Sequence, residues 1–239
     1  MTMRALVLSA LTAIALSTPA GVSAAAPKAP TCDGLTATIV GTSGDDTITG
    51  TSGDDVIAGL GGDDTIVGGL GADRICGGTG NDTLSGHGDS DLIFGQQGDD
   101  WLDGGVGGCC DLASNTGDDV LSGGPGDDEL HASDFPTTGN TMHGNQGADV
   151  LYAWSGGAAY GDNGKDTLYQ YAGTATLDGG NGRDTITNWN EPSTDSVTMS
   201  GGRGSDTLLN EDTTGTTAMD GDQGPDTCTA GTTVVNCES

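Results

Sequence analysis

From Gly41 to Asp103 an aliphatic residue recurs at every ninth position: Ile48, Ile57, Ile66, Ile75, Leu84, Ile93 and Leu102. The chain between them falls into seven consecutive units, GTSGDDTIT, GTSGDDVIA, GLGGDDTIV, GGLGADRIC, GGTGNDTLS, GHGDSDLIF and GQQGDDWLD. Position 6 is Asp and position 8 is Ile or Leu in all seven. A fixed nine-residue period is the signature of a solenoid. Positions 7 to 9 predict a short strand whose middle side chain points inward and whose neighbours point outward, because strand side chains alternate with period two. Positions 1 to 6 predict a tight turn, for which glycine supplies left-handed backbone and close approach at no steric cost. Two units make one coil of 18 residues, with a sheet on each side and Ile/Leu columns between them. The pattern therefore predicts an all-β, parallel β-solenoid.

Composition adds a problem that the pattern alone does not raise. The 239 residues include 45 Gly and 35 Asp plus Glu against 6 Lys plus Arg, a formal charge of -29. Apolar residues are 33% and aromatics 4%, which is the signature of disorder unless something neutralises the acid. Such a charge excludes nucleic acid and anionic membrane as partners, since both would repel it. A multivalent cation resolves the conflict. Each turn leaves carbonyl oxygens beside the position-6 carboxylate, and a hard cation such as calcium takes six to eight oxygen ligands of these kinds.

The repeat resembles the RTX (repeats-in-toxin) family of calcium-binding parallel β-rolls, and the resemblance runs from about Gly41 to Thr229. It implies 18-residue coils stacked around calcium ions, each ion held between two turns one coil apart by backbone carbonyls and position-6 aspartates. Carried onto this chain, those aspartates are Asp46, Asp55, Asp64, Asp73, Asp82, Asp91 and Asp100. The additional acids at position 5 (Asp45, Asp54, Asp63, Asp99) lie outside that shared requirement and read as solvated or field-strengthening. Many RTX proteins leave the cell through an uncleaved C-terminal signal. This chain has an N-terminal one, so it reads as a free-standing exported roll, and pore formation is not carried over.

Beyond Asp103 the repeat degrades in a pattern. Good turns recur and end at Asp119, Asp128, Asp149, Asp166, Asp184, Asp206 and Asp226. Ligand-poor segments of about half a coil alternate with the later ones, and each keeps an inward-register residue second from its end: Met142, Ala159, Leu177, Met199 and Met219. From Gly123 onward the good turns therefore share one side. The expected stacking puts turns starting at 41, 59, 77, 95 and 114 on one side. The other carries 50, 68 and 86, is interrupted at 104–113, and resumes at 123, 144, 161, 179, 201 and 221. That arrangement predicts about eleven calcium sites.

The N-terminus reads as a secretory signal peptide: Arg4, an apolar run from Ala5 to Leu16, and the small-residue site Val22-Ser23-Ala24, with cleavage after Ala24. The expected organisation is leader 1–24, linker 25–31, N-terminal cap 32–40, regular repeats 41–103, degenerate repeats 104–229 and a disulfide cap 230–239. Six cysteines in an exported chain suggest disulfides. Cys228 and Cys237 would close a terminal loop. Cys76 pairs best with Cys32, but two coils separate them by about 9.6 Å at about 4.8 Å per strand. That exceeds disulfide reach unless the N-terminal segment runs along the edge. Cys109 and Cys110 are adjacent, and read either as a bonded pair or as two unrelated thiols.

Neither a His-Glu-x-x-His zinc motif nor a Gly-x-Ser-x-Gly elbow is present, and His87, His131 and His143 are scattered among the turns, so the chain reads as non-catalytic. Tyr152, Trp154, Tyr160, Tyr169, Tyr171 and Trp189 fall in one stretch. They read either as cover for the side that lost its calcium turns or as a patch for a glycan or an extracellular protein. An ice-binding reading is weaker: outward Thr47, Thr65 and Thr83 form a column, but it ends at Trp101 and has no regular companion.

Overall fold

The structure is a computed structural model that describes residues 28–105, 117–132, 139–154, 156–189, 195–211, 215–230 and Cys237. The expected signal peptide and the Cys109–Cys110 pair lie outside these residues. Short strands follow the position-6 residues, as Thr47–Thr49 follows Asp46, and several of them, such as 56–61 and 74–79, run on into the next Gly-rich turn. The strands assemble into two parallel sheets. The first runs in chain order from 47–49 through 65–69, 83–87, 101–103, 129–131, 150–153, 167–170, 185–188 and 207–210 to 227–230. The second runs from 39–40 through 56–61, 74–79, 92–97, 120–125, 141–147, 157–160, 175–178 and 196–200 to 216–220. Successive strands in the chain alternate between the sheets, so each pair of strands completes one coil.

Register is fixed by the inward position 8. Ile48, Ile66, Leu84 and Leu102 pair in sequence along the first sheet, and Ile57, Ile75, Ile93 and Leu121 do so along the second. These columns meet in one narrow core, and all but Ile48 are fully buried. The degraded segments keep the register that their spacing predicts: Met142, Ala159, Leu177, Met199 and Met219 are all buried in the same core. The outward Thr column aligns as expected, Thr47 with Thr65 and Thr83, and a second column aligns Thr167 with Thr185, Thr207 and Thr227.

Two expectations change. The interruption after residue 103 replaces no half-coil. Strand 120–125 pairs with 92–97, and strand 101–103 pairs with 129–131. Strand 101–103 of the first sheet is therefore followed by 120–125 of the second, the same alternation as elsewhere in the chain, with no half-coil between them. The Asp119 turn thus stacks on Asp91, and the Asp128 turn on Asp100, the reverse of the sequence-based arrangement.

The N-terminal cap also differs. Ile39 and Val40 join the second sheet opposite Ile57 and Ala58, but residues 31–36 form an antiparallel hairpin instead of a half-coil. Asp33 and Gly34 both have positive φ, 44° and 81°, the backbone of a tight two-residue hairpin turn. The hairpin brings Cys32 to Cys76, with a Cα–Cα distance of 5.5 Å and an S–S bond, and Arg74 Nε to 3.3 Å from Asp33 Oδ2. This is the route that relieves the distance problem. Cys228 and Cys237 are also bonded.

Because Leu121 is fully buried between the sheets, Leu121→Ala is expected to cost the calcium-loaded fold about 2–5 kcal/mol. Outward Thr65→Ala should change stability by less than about 0.5 kcal/mol. Thermal unfolding followed by circular dichroism separates the two.

Candidate metal centres

The position-6 aspartates form two continuous ladders. In the long ladder, the Oδ1 of Asp64 accepts the Asp46 amide N–H at 2.8 Å. The same bond repeats through Asp82, Asp100, Asp128, Asp149, Asp166, Asp184, Asp206 and Asp226 at 2.8–2.9 Å. In the short ladder, Asp73, Asp91 and Asp119 repeat it from Asp55. Every aspartate expected as a ligand is therefore in one of two columns, nine steps in one and three in the other.

The other carboxylate oxygen decides what these columns can hold. The Oδ2 atoms of Asp64, Asp73, Asp82, Asp91, Asp100, Asp128, Asp149, Asp166, Asp184 and Asp206 are buried with no hydrogen-bond partner. An uncompensated buried carboxylate is strongly disfavoured. The space beside it is shaped by glycine: a Cβ on Gly161 would lie 2.6 Å from both the Asp166 Oδ2 and the Gly179 carbonyl oxygen of the next coil. A carboxylate oxygen and a carbonyl oxygen thus face one small cradle, a donor set suited to a hard cation such as calcium. Among the described residues no three His, Cys, Asp or Glu side chains converge on one point. Each aspartate turn offers a single inward carboxylate, so backbone carbonyls such as that of Gly179 would have to supply other oxygen donors.

Burial raises these acids well above the usual carboxylate range, to about 8 for Asp91 and about 7 for Asp82, Asp128 and Asp166. Desolvation is the main cause. The amide hydrogen bond from the preceding coil partly offsets it, and the neighbouring carboxylates add to it.

The first turn of each ladder solves the problem locally. Asp46 Oδ2 accepts the Thr42 N–H at 2.6 Å and hydroxyl at 2.9 Å, and Asp55 Oδ2 accepts the same pair from Thr51 at 2.7 and 2.8 Å. The position-5 acids also gain a role that their exposure hides. The Oδ1 of Asp45 accepts the Asp63 N–H, that of Asp63 the Asn81 N–H, and that of Asp54 the Ala72 N–H. They tie adjacent coils together as well as facing solvent.

Past Asp119 the short ladder is converted in steps. Asn140 takes position 6 and its Oδ1 accepts the Asp119 N–H at 2.8 Å. The aligned residues that follow in the sheet are Gly157, Ala175, Val197 and Thr217, of which the last three are buried. At position 1, where glycine opens the cradle, the chain places Gln170, Asn188 and Asn210 in register, all buried. Asn188 Nδ2 donates to Asn210 Oδ1 at 2.9 Å and to Thr217 Oγ1 at 3.4 Å. An amide N–H group therefore occupies the place that the cradle leaves for a cation. Asn140 was legible from the inward register of Met142 two residues later. The amide ladder carried no sequence signal, because Gln and Asn at those positions read as loop residues.

The aromatic residues divide. On the outside of the first sheet, Trp101, His131, Tyr152 and Tyr169 follow one another at centroid distances of 5.5, 4.5 and 5.2 Å. Trp189 lies 4.9 Å from Tyr169, and Trp154 stacks on Tyr171 at 4.2 Å. Tyr160 is separate, stacked on His143 of the second sheet at 4.8 Å. His131, Tyr152 and Tyr169 stack in turn and Trp154 stacks on Tyr171, while Trp101 is tilted against His131 and Trp189 remains exposed. That geometry fits cover over the side that lost its metal turns.

A comparison with protein-family profiles agrees with this geometry. A family profile described as "RTX calcium-binding nonapeptide repeat (4 copies)" matches residues 40–75, 77–108, 112–135, 137–157 and 169–187, more than half of the chain. No curated protein matches. A solved structure titled "X-ray crystal structure of a hyperactive, Ca2+-dependent, beta-helical antifreeze protein from an Antarctic bacterium" is similar at 18% identity, covering 78% of this chain and 84% of that one, with a TM-score of 0.39. On its repeat and its parallel coils, the chain belongs to the RTX calcium-binding nonapeptide repeat family.

Proposed function

We propose that this chain is a secreted, non-catalytic structural protein whose folding is switched on by extracellular calcium. The observation that carries the reading is the file of buried, partnerless aspartate oxygens. The ions would be held by position-6 aspartates and turn carbonyls, about eleven in all, with most in the long ladder. Calcium, when bound, supplies positive charge to carboxylates that have left water. Removing Arg4 with the leader leaves five basic against 35 acidic residues, a formal charge of -30. At neutral pH without metal, the stacked acids repel one another and the narrow core cannot offset chain entropy. A ligand that binds only the folded chain contributes its binding free energy to folding.

Export is supported by the leader-like N-terminus and by two disulfides, which persist in oxidising compartments. The non-catalytic reading is supported by packing around two of the histidines: His131 stacks on Tyr152 with Trp101 tilted against it, and His143 pairs with Asp162 at 3.0 Å while stacking on Tyr160.

Circular dichroism should show sheet appearing as calcium is added, with a midpoint of about 10⁻⁴–10⁻³ M, typical of extracellular modules. Equal sheet content in chelator and in calcium contradicts the proposal, as does a calcium stoichiometry of about five or fewer.

Acid should partly replace the metal. The folded acids titrate at about 6 to 8, against about 3.9 in an unfolded chain. The metal-free fold therefore binds extra protons, and its stability from these groups is full below about pH 4 and is lost as pH rises through about 6 to 8. Metal-free protein is expected to gain sheet as pH falls from about 8 to about 4, and calcium affinity to weaken in the same direction as protons compete.

The two edges of the later coils should respond differently to substitution. Asp184→Asn is expected to lower the number of bound calcium ions. Asn188→Leu should leave that number unchanged but lower the melting temperature of the loaded protein, by an amount equivalent to about 1–3 kcal/mol for buried amide partners left unsatisfied. Calorimetric titration and thermal unfolding read the two effects separately.

A further inference from the structure

Along the long ladder, the exposed position 5 inverts its charge about Ala148. The two preceding coils place Asp99 and Asp127 there, and the two following coils place Lys165 and Arg183. One coil further out on each side the position is uncharged, Asn81 before and Ser205 after. Asp99, Asp127, Ala148, Lys165 and Arg183 are all exposed. The acids are held in place by one oxygen each: Asp99 Oδ1 accepts the Asp127 N–H at 3.0 Å, and Asp127 Oδ1 accepts the Ala148 N–H at 2.7 Å. Their second oxygens remain for a partner. Neither Lys165 nor Arg183 ion-pairs with any described residue. Unpaired cations in consecutive coils are unexpected in a chain with 35 acids and 6 bases.

We propose that this turn edge pairs antiparallel with the same edge of a second copy of the chain, with the two-fold axis at Ala148. Rotation about that axis sets Lys165 against Asp127 of the second copy, Arg183 against its Asp99, and Ser205 against its Asn81. Each contact occurs twice by symmetry, as an isologous interface requires. The pitch matches without adjustment, because both edges are the same ladder at about 4.8 Å per coil. The small Ala148 side chain permits close approach at the axis. A foreign polyanion would use only the basic half and would leave the sign inversion without a counterpart. The contacts are exposed charge pairs, individually weak and screened by salt, so the dimer is salt-labile.

Sedimentation equilibrium on the calcium-loaded full chain tests this. Wild type is expected to dimerise at about 0.02 M salt and to dissociate toward about 1 M. K165D/R183D should dimerise at least about tenfold more weakly, since reversal turns attraction into repulsion. D99K/D127K should do the same, and an equimolar mixture of the two variants should associate again. D99N/D127N keeps the Oδ1 acceptors of the coil. It weakens the dimer while leaving calcium-induced sheet unchanged, which guards against a variant that fails to fold. A wild type that stays monomeric at low salt overturns the proposal, as does a dimer indifferent to these substitutions or a mixture that does not associate.

Discussion

The aspartate that precedes a strand along either ladder brings two carboxylate oxygens into the same dry corner of a coil. One of them accepts the amide N–H of the preceding coil, a bond that recurs at 2.8–2.9 Å along both ladders. The other faces a cradle that glycine has kept open. The sheets, the narrow aliphatic core and the turns depend on that second oxygen being satisfied, because the core is too thin to carry a buried charge for every half-coil.

The chain meets this constraint in several ways, and their distribution gives the molecule its asymmetry. The first turns use threonine, whose hydroxyl and amide close on the carboxylate from within the same turn. The long ladder keeps an orphan oxygen in coil after coil, each facing an open cradle of a kind suited to a hard cation. The short ladder ends in Asn140, and from there the carboxylate is removed. Buried amides fill the cradle, and Ala175, Val197 and Thr217 fill the carboxylate's place. One side of the later coils therefore keeps carboxylate cradles, and the other is held by amide hydrogen bonds and apolar contact. Both ways let coils stack in the same register, since the inward residue at position 8 is unchanged.

Outside the coils, the same repetition turns single residues into ladders. Aromatic rings on adjacent strands stack on each other, which uses ring faces that a sugar would need and covers the flank next to the amide side. Charged residues at the exposed position 5 line up at strand spacing, so a change from acid to base along the chain becomes a surface with polarity. A solenoid converts sequence order directly into surface order, and that is why a sign change at Ala148 has geometric meaning.

The nine-residue period was enough to establish the strands, the inward columns, the two-sheet coil and the identity of the ladder aspartates. Each of these depends on residues within one repeat, where glycine, Asp and Ile/Leu have fixed jobs. The same register located Met142, Ala159, Leu177, Met199 and Met219 in the core even where the turns had lost their ligands. What only the tertiary structure decided is what lies between repeats. Strand 120–125 follows 92–97 in its sheet, and 129–131 follows 101–103, so the aspartate turns divide nine steps to three. Length alone does not say which strand comes next to which across that stretch, and the pairings of Leu121 with Ile93 and of Leu130 with Leu102 do. The hairpin that carries Cys32 back to Cys76, and the amides that occupy the cation cradle, likewise depend on side chains meeting across coils, which no local pattern encodes.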